Sequence, residues 1–125
     1  MTLASCTSPA VNDRIDTPFA VAGDPARGRE IFVSREGGHC VLCHAAPGVA
    51  IAGDVGPPLG GVGSRLSAVQ VRLRIADITR VNPEAAMPTF HRTEGLTRVA
   101  ARYAGKPALT AQEVEDLVAW LGTLR

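Results

Sequence analysis

Residues 40–44 read Cys40-Val41-Leu42-Cys43-His44, a C-x-x-C-H pattern that decides how the rest of the chain is interpreted. Two thiols three positions apart lie on one side of a helical turn, so both can bond to one edge of a flat molecule. The adjacent imidazole is then placed to bind a metal at the centre of that molecule. This is the arrangement by which a haem is attached through its vinyl groups, with His44 as an iron ligand.

Three other chemistries use closely spaced cysteines: a redox-active dithiol, a plain disulfide, and a zinc site formed by His39, Cys40, Cys43 and His44. A redox dithiol is typical of a βαβ context, and no segment of the chain shows sustained period-two alternation. Four zinc ligands within six residues leave no second element for the metal to clamp. We therefore predict a single covalent haem c.

The sixth iron ligand is predicted to be Met87, the only internal methionine, in the segment NPEAAMPTF at residues 82–90. Pro88 holds Met87 in an extended conformation that can aim a thioether out of a loop. A methionine that fills a gap in the core is the alternative, and His39 and His91 are rival ligands. His39 lies too close to the attachment turn to reach the opposite haem face. Methionine ligation raises the reduction potential relative to histidine.

The composition favours one small helical domain. The chain has 125 residues, with only five aromatic residues but 13 glycines and 9 prolines, so large core-filling rings are few and turns are frequent. A buried haem would supply the missing apolar volume. The formal net charge of +1 does not indicate nucleic-acid binding. The sequence contains no run of 18 apolar residues, so it predicts no transmembrane segment.

Capping patterns predict three helices, which begin after Asp24, Ser67 and Thr110. The second helix ends before Pro83, and the third runs to about residue 121. Gly28 inside the first helix predicts that another helix crosses closely there. Residues 37–63 hold eight glycines and three prolines, which indicates a long loop around a ligand. We predict an all-α domain at residues 23–125, with three to four helices and long loops around the haem.

Residues 1–22 are polar and without periodicity, which predicts an extended N-terminal arm apart from the core. Leu3-Ala4-Ser5-Cys6 matches a bacterial lipobox, in which the cysteine is lipidated. This segment is therefore a lipobox, a signal remnant, or an ordinary disordered start. Cys6 is correspondingly a lipid anchor or a loose thiol, since three cysteines leave one unpaired by any single disulfide.

The stretch Gly56-Pro57-Pro58-Leu59 resembles a segment of class I cytochromes c. In that family the stretch lies against the haem, and its proline carbonyl accepts a hydrogen bond from the axial histidine. The resemblance implies that Pro57 orients His44 and that Leu59 packs near the haem.

Three further stretches carry a narrower resemblance: ITRVNPEAAMP (78–88), GLTRVA (95–100) and YAGKPALTAQEVED (103–116). They resemble SoxX, the family of small monohaem subunits of SoxAX thiosulfate-oxidising cytochromes. With the two haem motifs, the likeness spans about residues 24–122.

This resemblance implies that the chain forms a periplasmic heterodimer with a SoxA-like cytochrome. The heterodimer would act as an L-cysteine S-thiosulfotransferase. Thiosulfate is joined there to a cysteine of a SoxYZ-like carrier, and electrons leave through the SoxX haem to a downstream acceptor cytochrome. No residue here matches the modified cysteine ligand of SoxA, so the chain is expected to be the electron relay and not itself catalytic. A free-standing electron shuttle is the alternative, and a gas-binding haem protein is disfavoured because Met87 fills the sixth position.

Basic residues are concentrated in one part of the chain. Residues 61–110 contain eight lysines or arginines against three acidic residues. A surface that steers an anionic substrate or acidic partner is one interpretation, and ordinary solvated charges are the other. The candidates for such a surface are seven of these eight residues: Arg72, Arg74, Arg80, Arg92, Arg98, Arg102 and Lys106. Trp120 and Tyr103 are predicted to pack in the core or against the haem.

Overall fold

The computed structural model describes residues 12–95 and 105–125. Within these residues the chain forms four α-helices and no β-strand, which confirms the all-α prediction. The helices are α1 (Pro25–Val33), α2 (Val62–Arg65), α3 (Ala68–Asp77) and α4 (Ala111–Gly122), with 3₁₀ turns at Cys40–Leu42 and Ile78–Arg80. None of the helices in this part of the chain is long and apolar enough to cross a membrane.

The three predicted helix starts are confirmed by their caps. The Asp24 carboxylate accepts a hydrogen bond from the Ala26 backbone N–H at 2.9 Å, directly before α1. Ser67 and Thr110 each form a complete capping box, at the starts of α3 and α4. The single-turn helix α2 was not predicted, because it lies in a glycine-rich stretch and its N-cap, Gly61, offers no side-chain acceptor.

Helices α1 and α4 cross at Gly28. A side chain at position 28 would overlap the backbone carbonyl of Asp116, so only glycine allows the two helices to approach this closely. Phe32 and Trp120 then pack against each other across the helix pair, with ring centroids 4.9 Å apart. The predicted close crossing is confirmed, and Trp120 is a buried core residue. Tyr103 lies outside the described residues.

The N-terminal arm was predicted to lie apart from the core, but its described part contacts the helices. Residues 12–22 form no helix or strand, but they are held along α3 and α4 by hydrogen bonds. The Ile15 N–H donates to the Val69 carbonyl at 3.0 Å, and the Phe19 N–H donates to the Glu115 carboxylate at 3.3 Å. These contacts join residues more than 50 positions apart, which no local sequence pattern reveals. The lipobox motif at residues 3–6 lies outside the described residues.

The interpretation of the basic residues as one steering surface is wrong for Arg72. Its side chain is 5 % exposed and makes a bidentate ion pair with Glu115, at 2.8 Å for both N–H donors. Arg74 lies 3.8 Å from the Asp13 carboxylate, and Arg92 lies 3.6 Å from that of Asp77. Arg80 and Lys106 are exposed, while residues 98 and 102 lie outside the described part of the chain.

Candidate haem site

The C-x-x-C-H residues form a single tight turn at the end of the loop that follows α1. His39 adopts the left-handed conformation, with φ of 47°, and starts the 3₁₀ turn Cys40–Leu42. The Cys40 carbonyl accepts hydrogen bonds from the backbone N–H groups of Cys43 at 3.2 Å and His44 at 2.9 Å. Helical geometry therefore sets the two thiols one turn apart, as attachment to one porphyrin edge requires.

The two thiols fit a haem better than the other chemistries considered. Cys40 and Cys43 are free and half-buried. Burial raises the pKa of the Cys40 thiol to about 12, which disfavours the thiolate that a redox dithiol needs. No group of three or more His, Cys, Asp or Glu side chains converges anywhere in residues 12–95 or 105–125, which disfavours the zinc alternative.

The loop at residues 53–59 packs against the attachment turn and is hydrogen-bonded to it. Three backbone hydrogen bonds of 2.8 Å join them: from Gly53 to Val41, from Gly56 to Cys43, and from Leu59 to Ala45. A side chain at position 53 would overlap the Leu42 carbonyl, so the loop approaches the turn along its backbone. Leu59 is half-buried and packs against the core. The glycine-rich composition predicted a wrapping loop but not these contacts.

His44 is oriented by two residues of this loop. Its Nδ1 lies 2.7 Å from the Pro57 carbonyl oxygen, which is the contact that the class I resemblance implied. Because a carbonyl only accepts, Nδ1 carries the proton, and Nε2 keeps its lone pair for a metal. Gly56 lies flat on the ring: a Cβ there would come within 2.7 Å of Nδ1 and 2.8 Å of Nε2. The class I resemblance implied this role for Pro57 alone.

Met87 is half-buried and packs against the same hydrophobic core as Cys40 and Leu59. Its loop is fixed at both ends, by the Asn82 N–H donating to Ile78 at 2.9 Å and the Phe90 N–H donating to Ile75 at 3.1 Å. The assignment of Met87 as the sixth ligand remains a prediction.

The rival ligand His91 is engaged elsewhere. Its ring stacks on Phe19 with centroids 4.4 Å apart and an interplanar angle of 21°, and its Nδ1 lies 3.3 Å from the Leu109 carbonyl. Phe19 belongs to no sequence motif, and the only signal that marks it is an aromatic side chain in an otherwise polar arm.

The helices and the haem-attachment turn together define a small c-type cytochrome. The cytochrome c family model matches residues 25–125, and the chain belongs to this family. It therefore carries one covalent haem c, which the residues described above fit: two free thiols, a histidine with Nε2 available, and half-buried apolar side chains around them.

Among solved structures, the chain is similar to SoxXA from P. pantotrophus. The match has a TM-score of 0.81 and 32 % sequence identity, and it covers 90 % of this chain and 90 % of that one. This similarity identifies the chain as a SoxX-like electron-transfer cytochrome. Comparison with curated protein sequences gives no significant match.

The methionine assignment predicts a clear spectroscopic result. Met87→Ala is expected to abolish the weak near-infrared band of sulfur-to-iron ligation and to lower the reduction potential. Oxidised and reduced spectra of the purified wild-type and variant proteins test this. The matched control is Val81→Ala, which truncates an exposed apolar side chain just before the same segment and should leave the band intact. A wild-type protein without the band would contradict the assignment and return His91 to consideration.

Proposed function

We propose that this chain is the electron-transfer subunit of a periplasmic SoxAX-type complex, which oxidatively conjugates thiosulfate to a cysteine of a SoxYZ-like carrier. The observation that carries the proposal is the structural match to SoxXA over 90 % of both chains. The shared cytochrome c fold alone supports electron transfer in general. The extent and identity of that match favour a subunit of a thiosulfate-oxidising cytochrome over a free-standing shuttle.

The chemistry of conjugation defines what this subunit must do. A carrier thiol and thiosulfate lose one proton and two electrons when the new S–S bond forms, so an electron acceptor is required. The haem supplies a one-electron iron couple when bound, so the subunit is used twice for each conjugation. Cys40 and Cys43 hold the cofactor, His44 and Met87 are its proposed ligands, and Pro57 fixes the His44 ring. Among the described residues no further cysteine is present for the conjugation itself.

The surface beside the attachment turn supports a stable partner over a transient one. Leu42, Ile51 and Val55 are large apolar side chains that are 63 %, 86 % and 75 % exposed. Leu42 and Ile51 line a shallow cavity of about 300 Å³ against the turn. In residues 37–63 the only formal charge is Asp54. Apolar, weakly charged patches are typical of the buried centres of stable interfaces, while transient partners are more often steered by charge.

We propose that the SoxA-like cytochrome covers this patch. Leu42 lies between the two thiols that carry the porphyrin, so a partner seated there comes close to the covalently held edge of the cofactor. An apolar interface also predicts a complex that is stable at high salt, because screening weakens charge pairs but not apolar burial.

Reconstitution tests the proposed function. The haem-loaded chain is mixed with a SoxA-like cytochrome and with a SoxYZ-like carrier, and absorbance follows the reduction of its haem. The expected result is a 1:1 complex and reduction that requires thiosulfate, carrier and partner together. A chain that stays monomeric with the partner, yet exchanges electrons with several small cytochromes, would indicate the free-standing shuttle instead.

Ile51→Asp is expected to weaken the complex with the SoxA-like cytochrome by about tenfold or more, because it places a charge at the centre of an apolar interface. Size-exclusion chromatography and titration calorimetry measure the change. Val21→Asp is the matched control: Val21 is 75 % exposed but lies on the N-terminal arm. If the two variants bind equally well, the patch is not the interface. A wild-type chain that forms dimers at this patch would make a second copy the occupant.

A further inference from the structure

The described part of the N-terminal arm is fastened at two points by one buried ion pair. Arg72 on α3 donates to the Ile15 carbonyl at 2.8 Å, and Glu115 on α4 accepts from the Phe19 N–H at 3.3 Å. Arg72 and Glu115 also pair with each other, with side chains 5 % and 4 % exposed. The arm is therefore held to α3 and α4 at the place where these two helices meet.

Beyond these two hydrogen bonds, one aromatic ring of the arm contacts the end of the methionine loop, residues 82–90. The Phe19 ring stacks on the His91 imidazole at 4.4 Å between centroids, and the arm continues to Val21, whose carbonyl accepts from Gln112 at 3.3 Å. His91 is thus enclosed by Phe19 on one side and by the Leu109 carbonyl at 3.3 Å from Nδ1.

His91 stands at the end of the loop that carries Met87. The Phe90 and His91 N–H groups donate to the carbonyls of Ile75 and Ala76 at 3.1 and 3.2 Å, and the Leu109 N–H donates to the Phe90 carbonyl at 2.9 Å. At the other end, Ala85 and Glu84 bond only locally, to Asn82. In the described residues, the segment that presents Met87 is therefore tied to the helices before residue 83 and from residue 90 onward.

We infer that Phe19 is a positioning residue for the Met87 thioether. By stacking on His91 it fixes the trailing end of the methionine loop, and it also keeps the His91 imidazole from competing as an iron ligand. The inference rests on the proposed axial role of Met87. It assigns to the N-terminal arm a function in the haem site that neither the family match nor the sequence motifs give it.

Exogenous imidazole tests the inference with the holoprotein. Imidazole binds the ferric iron only after the native sixth ligand has left, so its binding rate reports how often the methionine loop opens. Loss of one stacked aromatic pair should raise the population of the open methionine loop by about two- to tenfold. Phe19→Ala is expected to accelerate imidazole binding by about that factor, and hydrogen exchange in residues 82–95 should also become faster.

Two control variants separate positioning from general destabilisation. Phe19→Leu keeps an apolar contact and should give an intermediate rate, while Val21→Ala changes an exposed side chain of the same arm and should give the wild-type rate. Urea unfolding of all variants is measured in parallel. If Phe19→Ala lowers the unfolding midpoint but leaves the imidazole rate and the exchange of residues 82–95 unchanged, Phe19 is merely structural and the inference is overturned.

The outcomes also distinguish this inference from the site assignment on which it rests. If wild-type protein lacks the near-infrared sulfur-to-iron band, Met87 is not the ligand, and both the assignment and the inference fail. If the band is present and Phe19→Ala binds imidazole at the wild-type rate, only the inference fails.

Discussion

Glu115→Ala is expected to lower the free energy of unfolding by about 3–5 kcal/mol, because it leaves the Arg72 charge buried without a partner. Arg72 and Glu115 share two hydrogen bonds of 2.8 Å, and this bonding raises the pKa of Arg72. The substitution also removes the acceptor of the Phe19 N–H, so the N-terminal arm loses one of its anchors. Chemical unfolding of the haem-loaded protein, followed by tryptophan fluorescence and circular dichroism, measures the loss.

A double-mutant cycle shows whether the uncompensated charge is the cause. Arg72→Met combined with Glu115→Leu removes both charges and keeps similar volumes, so it should cost less than Glu115→Ala alone. Glu30→Ala is the control for removal of an exposed carboxylate, and it should stay within about 0.5 kcal/mol of wild type. The single variants of the cycle are Arg72→Met and Glu115→Leu. If the double variant loses as much stability as these two added together, the side chains contribute independently and the explanation by an unpaired charge is wrong.

The fold was predictable from sequence wherever its signals are local. The caps at Asp24, Ser67 and Thr110 lie within three residues of the N–H groups they satisfy, so the helix starts could be read directly. Gly28 signalled the α1–α4 crossing because only a close helix approach offsets the cost of a mid-helix glycine. Helix α2 is one turn long and has no side-chain cap, so it left no pattern to find.

The contacts that sequence reasoning missed are those between distant segments. A run of arginines looks the same whether it faces solvent or an acidic partner, and the Glu115 that neutralises Arg72 lies 43 positions away. Phe19 and the His91 ring on which it stacks lie even further apart in the sequence. Residues 12–22 therefore looked like a detached arm, although in the structure they close one side of the domain against α3 and α4.

In the candidate site, too, the local features were predictable from sequence and the contacts between separate segments were not. The attachment turn lies in five consecutive residues, and its thiol and imidazole chemistry follows from their spacing. The contact between His44 and Pro57 spans 13 residues and was reached only through resemblance to class I cytochromes c. The contact between Gly56 and the His44 ring had no signal beyond the glycine itself, because a residue that makes room for a ring carries no chemical group to recognise.

Gly56→Ala is expected to displace the His44 imidazole and to disrupt its coordination. The added methyl would lie within 2.8 Å of both ring nitrogens, well inside contact distance, so the ring or the loop must move. Either movement breaks the 2.7 Å contact between Nδ1 and the Pro57 carbonyl, which sets the tautomer that leaves Nε2 free. Overpacking of this kind costs about 1–3 kcal/mol, and loss of the hydrogen bond adds about 1 kcal/mol. We expect a lower yield of haem-loaded protein, a lower melting temperature and a changed reduction potential.

Gly60→Ala is the matched control for this substitution, since it adds the same methyl to the same loop. A Cβ at position 60 meets only Pro47, with Cγ at 3.7 Å and Cδ at 3.9 Å. These are ordinary van der Waals contacts, so the substitution should leave the spectrum and the potential unchanged. Because alanine also reduces the conformational entropy of the unfolded chain, Gly60→Ala should be neutral or slightly stabilising. Electron paramagnetic resonance of the ferric proteins reports the axial ligand field directly. A Gly56→Ala protein with the wild-type resonance and potential would show that the loop yields without moving His44, and that the carbonyl of Pro57 alone holds the ring.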